Sequence, residues 1–95
     1  MTDNLVKDNK CFHKMIRGKY KIDEIHGDET KVITITLDEE ISEYAVCVVN
    51  PEVWPLHVEV NAVGNNFENK GYANISVKCV TETGVANVYL NYLFI

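Results

Sequence analysis

From Tyr20 onward, apolar and polar residues alternate with a period of two, in segment after segment separated by short polar turns. No other feature constrains the fold as much, because successive side chains of an extended strand point to opposite faces. Leu56, Val58, Val60 and Ala62 alternate with His57, Glu59 and Asn61, the pattern of a strand with one wet face. Ala73, Ile75, Val77 and Cys79 alternate with Asn74, Ser76 and Lys78 in the same way. The β-branched run from Lys31 to Leu37 reads as a strand. Tyr44 to Val49 reads as a strand apolar on both faces, Val85 to Ile95 as the last strand, and Tyr20-Lys21-Ile22 as the start of a further, shorter one. Between them lie turn signals: Asp38-Glu39-Glu40, a loop bracketed by Asn50-Pro51 and Trp54-Pro55, the polar stretch Gly64 to Gly71, and Thr83-Gly84. About six strands on short loops predict an all-β fold, a small antiparallel β-sandwich.

The first nineteen residues differ in kind. Lys7, Lys10, Lys14, Arg17 and Lys19 are five of the nine basic residues in a chain of net charge −5. The expected organisation is a basic N-terminal docking arm over 1–19 and a β-sandwich domain over 20–95. Phe12, Met15 and Ile16 have the i, i+3, i+4 spacing of one helical face, with Asp8 or Asn9 to cap it and Gly18 to end it. Two helical turns are marginal alone, so a short helix and an extended arm are both open. In either form Phe12, Met15, Ile16 and Arg17 are the candidate partner-docking residues.

Several function classes find no support. The acidic excess leaves no general basic footprint for a nucleic-acid backbone. No apolar run reaches the length of a membrane span or a signal peptide. Three widely spaced cysteines, Cys11, Cys47 and Cys79, suit reduced thiols in a protein made in cytoplasm rather than a disulfide framework. Cys11-Phe12-His13 is the one close Cys/His pairing, and a zinc site needs paired ligands, so no metal is expected. Asp38-Glu39-Glu40 lacks the spacing and turn glycine of a calcium loop and reads as a solubilising cap. Phosphate loops, nucleophile elbows and paired catalytic carboxylates are absent. The expectation is a protein without cofactor that is not an enzyme.

Contact with other molecules is what remains. The last strand has two rows: Ala86, Val88, Leu90, Tyr92 and Phe94 on one face, and Val85, Asn87, Tyr89, Asn91, Leu93 and Ile95 on the other. A two-layer sandwich buries one face of each strand, so the second apolar row needs another cover. Tyr89, Leu93 and Ile95 are therefore candidate oligomer-interface residues. Trp54, between two prolines, is either a structural plug or a stacking platform for a sugar or a partner. Asn65, Asn66 and Asn69 surround Phe67 with amide donors and acceptors, chemistry that suits a carbohydrate or a protein neighbour.

The order of these features also resembles a known family. The strand Val32 to Leu37, the strand beginning Tyr44-Ala45-Val46, a variable loop, Ile75-Ser76-Val77-Lys78, Val80-Thr81-Glu82-Thr83-Gly84 and the final Val88-Tyr89-Leu90-Asn91-Tyr92-Leu93 are similar to the small β-sandwich at the tips of phage fibre proteins, itself similar to H-type lectin domains. The resemblance implies a homotrimer whose tip contacts cell-surface glycans. Tyr89 stands where that family often has a tryptophan, and only residues 1–30 precede the sandwich in place of a long shaft. The function expected on this basis is that of a structural virion protein made in the host cytoplasm, a trimeric phage head-fibre or capsid decoration protein with weak glycan adhesion. Its arm would bind the capsid or another virion protein. The alternative is a small phage-encoded intracellular β domain that binds and inhibits a host protein, using electrostatic complementarity.

Overall fold

The computed structural model describes residues 15–95. Those residues form six strands: β1 (Ile16–Ile25), β2 (Thr30–Thr36), β3 (Cys47–Pro51), β4 (Leu56–Asn65), β5 (Gly71–Cys79) and β6 (Val85–Phe94). They pair antiparallel into two three-stranded sheets of order β1-β6-β3 and β2-β5-β4. The fold is the all-β sandwich that the alternation predicts, with no helix among the described residues. Only β4 and β5 form a hairpin. Every other connection crosses from one sheet to the other, so the two layers are tied together by four crossings of a short chain.

The core lies between the layers. Gly71, Ala73, Ile75, Val77 and Cys79 of the central strand β5 are all buried, and Ile33 and Ile35 of β2 and Leu56 of β4 flank them. Ile22, Ile25, Leu90 and Phe94 of the β1-β6-β3 sheet close the other side, with Tyr20, Val49 and Tyr92 packed against them. Two loop residues, Leu37 and Ile41, extend the core past the end of β2.

Four details differ from the pattern read from the sequence, each for a physical reason. First, β1 begins at Ile16, so Ile16, Arg17 and Lys19, expected in the arm, are sheet residues. Ile16 pairs with Phe94 and packs on the core in an extended strand, not on a helical face. Second, the strand read over Tyr44 to Val49 is displaced: Tyr44 lies in a turn, β3 starts at Cys47, and Asn50 and Pro51, expected in a loop, belong to it and pair with Asn91 and Leu90. Proline is tolerated because β3 is an edge strand: Val46 and Glu52 donate to Ile95 and Tyr89 carbonyls, so by alternation the Pro51 nitrogen faces away from β6. Third, the register of β4 slips between Val60 and Ala62, a bulge that inserts Asn61. Val63 rather than Ala62 then opposes the buried Ala73, and Ala62 turns outward. Fourth, Asn87 has a φ of 56°, a left-handed conformation that asparagine adopts more readily than most residues. Past it the side-chain parity of β6 reverses, so Val85 packs on the core and Ala86 is exposed. Its neighbour β1 shifts in step, with Ile22 and Ile25 both buried three residues apart.

The glycine of the β1–β2 turn is required by a close approach. A Cβ on Gly27, in the β1–β2 turn, would collide with the Glu82 carbonyl, and that turn is pinned there because the Asp28 amide donates to the Cys79 and Thr81 carbonyls at 3.0 and 3.1 Å.

Candidate functional site

Alternation along β1, β6 and β3 sends half of their side chains away from the core, onto the outer face of the β1-β6-β3 sheet. Register then lines them up in rows. Arg17, Leu93 and Val48 form one row; Lys19, Asn91 and Asn50 form the next. Lys21 and Tyr89 come third, with Glu52 beside them through its amide bond to the Tyr89 carbonyl at 3.0 Å. Beyond Leu93, Ile95 and Val46 exchange a reciprocal pair of backbone bonds of 2.9 and 3.1 Å.

The face is therefore divided. At one end Val46, Val48, Leu93 and Ile95 make an apolar band, in which Val46 is 55% and Val48 is 46% exposed. At the other end Lys19 reaches over the Tyr89 ring, 5.5 Å from its centroid, to an ion pair with Glu52 at 3.2 Å. Along β1 the outward column is basic: Arg17, Lys19 and Lys21. Charges on an edge strand discourage further strand pairing there. A groove of about 460 Å³ runs between the two ends, lined by Arg17, Lys19, Val48, Asn91 and Leu93 and floored at Gly18 and Tyr92.

The residues singled out in the sequence fall in three places. Tyr89, Leu93 and Ile95 come together on this outer face, Tyr89 and Ile95 exposed and Leu93 half-buried. Arg17 joins them as the register partner of Leu93, and Met15 is exposed just before β1. Phe12 lies outside the described residues. Asn65, Asn66 and Asn69 lie at the far end of β4 from Trp54, which is in the β3–β4 loop; the ten residues of β4 hold these ends roughly 30 Å apart at the usual rise. Trp54 plugs no cavity, being 80% exposed.

The three asparagines have separate roles. Asn65 donates to the Ile41 carbonyl and accepts from the Ile41 amide, both at 2.9 Å, so its side chain holds the β2–β3 loop as a strand partner would. Asn66 accepts from the amides of Glu68 and Lys70 and shapes the β4–β5 turn. Asn69 supplies that turn's left-handed residue, with φ 59°.

Reactive groups are few among the described residues. Cys47 and Cys79 are free. Burial pushes the Cys47 thiol from 9.0 up to about 11, against a smaller opposing effect from a hydrogen bond with the Leu93 backbone. A thiol so raised stays protonated at neutral pH and is a poor nucleophile. Cys79 is buried, and its thiol donates to the Thr83 carbonyl at 3.5 Å. His26 and His57 sit beside Glu24 and Glu59, each pair at 3.5 Å and solvent-exposed. No group of three or more His, Cys, Asp or Glu among the described residues is arranged to hold a metal ion.

Compared with protein-family models, curated proteins and solved structures, the chain matches none.

Proposed function

We propose that the protein is a structural virion component: a homotrimeric phage head-fibre or capsid decoration protein with weak adhesion to surface glycans. On this reading it works by contact alone and has no catalytic centre or cofactor. It is made in the host cytoplasm and attaches to the capsid or another virion protein through its basic N-terminal segment. The supporting observation is the apolar band of Val46, Val48, Leu93 and Ile95 on the outside of a sandwich whose core is already complete. Contiguous apolar surface of this kind is removed from water most simply by another copy of the same chain. The number three comes from the resemblance of the strand order to phage fibre tips.

Size-exclusion chromatography with light scattering on the full chain tests the reading. A stable trimer is expected at about 10 μM, and a monomer persisting to about 100 μM sinks it. A second reading has its own observation. Trp54, 80% exposed beside the acidic Glu52, has the form of an anchor for a protein partner. A monomer whose partner binding is lost on Trp54→Ala would favour the host-protein inhibitor.

A further inference from the structure

We propose that the outer face of the β2-β5-β4 sheet carries a binding site for a neutral saccharide, in an open groove of about 470 Å³ beside Tyr72 and Phe67. The inference names the site and ligand class for the glycan adhesion proposed above and rests on that part of the reading, but not on the trimer. This face lies across the sandwich from the Leu93 band, so assembly through that band leaves it open.

Two aromatic rings border the groove. Phe67, at the tip of the β4–β5 turn, is fully exposed, and nothing in the fold requires it there. Tyr72 is paired in register with Gly64, and its ring lies over that glycine: a Cβ there would sit 3.4 Å from the ring. A side chain larger than alanine at position 64 would lift the ring out of the groove wall. Aromatic rings on a wet sheet face offer apolar surface to the C–H face of a pyranose while leaving its hydroxyls in reach of polar neighbours.

Those neighbours are oriented in advance. The Thr34 hydroxyl donates to Asn74 Oδ1 at 2.8 Å, which turns the Asn74 amide so that its Nδ2 is left to donate outward. Asn66 Oδ1 accepts two backbone amides, at 2.9 and 3.1 Å, which fixes that side chain and leaves its Nδ2 for the groove as well. The Thr36 and Tyr72 hydroxyls can each donate or accept. A sugar hydroxyl is also both donor and acceptor, so amides alternating with hydroxyls match it. None of the lining residues is Asp, Glu, Lys, Arg or His. An anionic sugar would shed water from its carboxylate with no cation to compensate, so the groove selects for neutral rings.

The test is amide chemical-shift mapping on the full chain with methyl galactoside, methyl glucoside and N-acetylglucosamine, and with N-acetylneuraminic acid as the charged comparison, each to about 50 mM. At least one neutral sugar is expected to move the amides of Asn66, Phe67, Tyr72 and Asn74. Phe67→Ala and Asn74→Ala should each weaken it about tenfold with the dispersion of the spectrum retained, and Trp54→Ala should leave it unchanged. Phe67 is wholly exposed, so its removal reports on binding rather than folding. No shift with any neutral sugar overturns the site, as do shifts centred on Trp54 or equal binding of the anionic sugar. Light scattering on the same samples separates the site from the assembly: a trimer that binds sugar away from the groove refutes only this site, a trimer that binds no sugar refutes the adhesion with it and leaves the assembly standing, and a monomer that binds in the groove refutes only the trimer.

Discussion

The two outer faces of the sandwich are built alike and dressed differently. Each belongs to a three-stranded antiparallel sheet, and each is half of an alternating pattern whose other half is core. On the β2-β5-β4 sheet the outward residues are chiefly polar, Thr34, Thr36, Asn74, Ser76, His57, Glu59 and Lys78, with Val32 and Tyr72 among them, and they are tied by short bonds such as Asn61 to Ser76 at 2.8 Å. On the β1-β6-β3 sheet they include Val46, Val48, Leu93 and Ile95 beside a basic column. Polar side chains satisfied by water or by one another cost nothing to leave exposed, whereas an apolar row keeps a standing driving force for burial of roughly 25 cal/mol per Å². The same architecture thus carries one face that is mostly polar, with Val32 and the groove aromatics as isolated apolar surface, and one with a contiguous apolar band that gains by being covered.

The sharpest way to break this comparison is a charge on either side of β6. Leu90 is completely buried, and Leu90→Lys should unfold or aggregate the domain. A buried lysine without a partner costs several kcal/mol, comparable to the whole stability of a domain this small. Leu93 is on the outer face, and Leu93→Lys should leave the β-type circular dichroism intact while light scattering shows a monomer. If both variants aggregate, the outer band is core as well and the contrast between the faces disappears. If Leu93→Lys leaves mass and stability unchanged, the band is simply exposed.

A smaller effect separates structural amides from available ones on the polar sheet. Asn65→Ala removes both bonds to the Ile41 backbone and should lower unfolding stability by about 2 kcal/mol in urea. Asn74→Ala, which loses one exposed bond to Thr34, should cost about 0.5 kcal/mol or less. Equal losses would mean that the groove amides also serve the fold.

An effect smaller than the loss at Asn65, and confined to alkaline pH, concerns the inner face of the edge strand β3. The Cys47 thiol is raised from 9.0 to about 11 by burial, so the folded chain holds a proton that the unfolded chain has released. The resulting stability is complete below pH 9 and is lost as pH rises through 11. Over that window the wild-type protein should lose about 1 kcal/mol relative to Cys47→Ala, the ceiling set by the shift being reduced because Cys47 is only half-buried. Parallel pH profiles for the two proteins would show that the thiol is wet in the folded state.

The alternation from Ala73 to Cys79 and from Ile33 to Leu37 made β5 and β2 readable, because each strand's buried row is contiguous in sequence. The start of β1 was not readable. Its inward row runs Ile16, Gly18, Tyr20, Ile22, and the gap at Gly18 is filled from the neighbouring strand: a Cβ on Gly18 would collide with the Tyr92 phenol. Tyr89, Leu93 and Ile95 could be grouped as a second row from spacing alone, since Asn87 resets parity only before them. The groove at Tyr72 could not, because Thr34, Thr36 and Asn74 become its neighbours only when β2 and β5 pair. Asn65 drew notice for its amide, but its partner Ile41 lies 24 residues away.

By itself the sequence determined the strand segments, the turns between most of them and which neighbouring residues share a face, because side-chain direction along an extended backbone is a local property with a period of two. Only the tertiary structure decided that β6 lies between β1 and β3, that the parity of β6 reverses at Asn87 and that of β4 slips at Asn61, and which outward row is left apolar. Strand pairing joins residues far apart in the chain through backbone groups that every residue carries, so the order of strands and the placement of a bulge depend on how both layers pack at once.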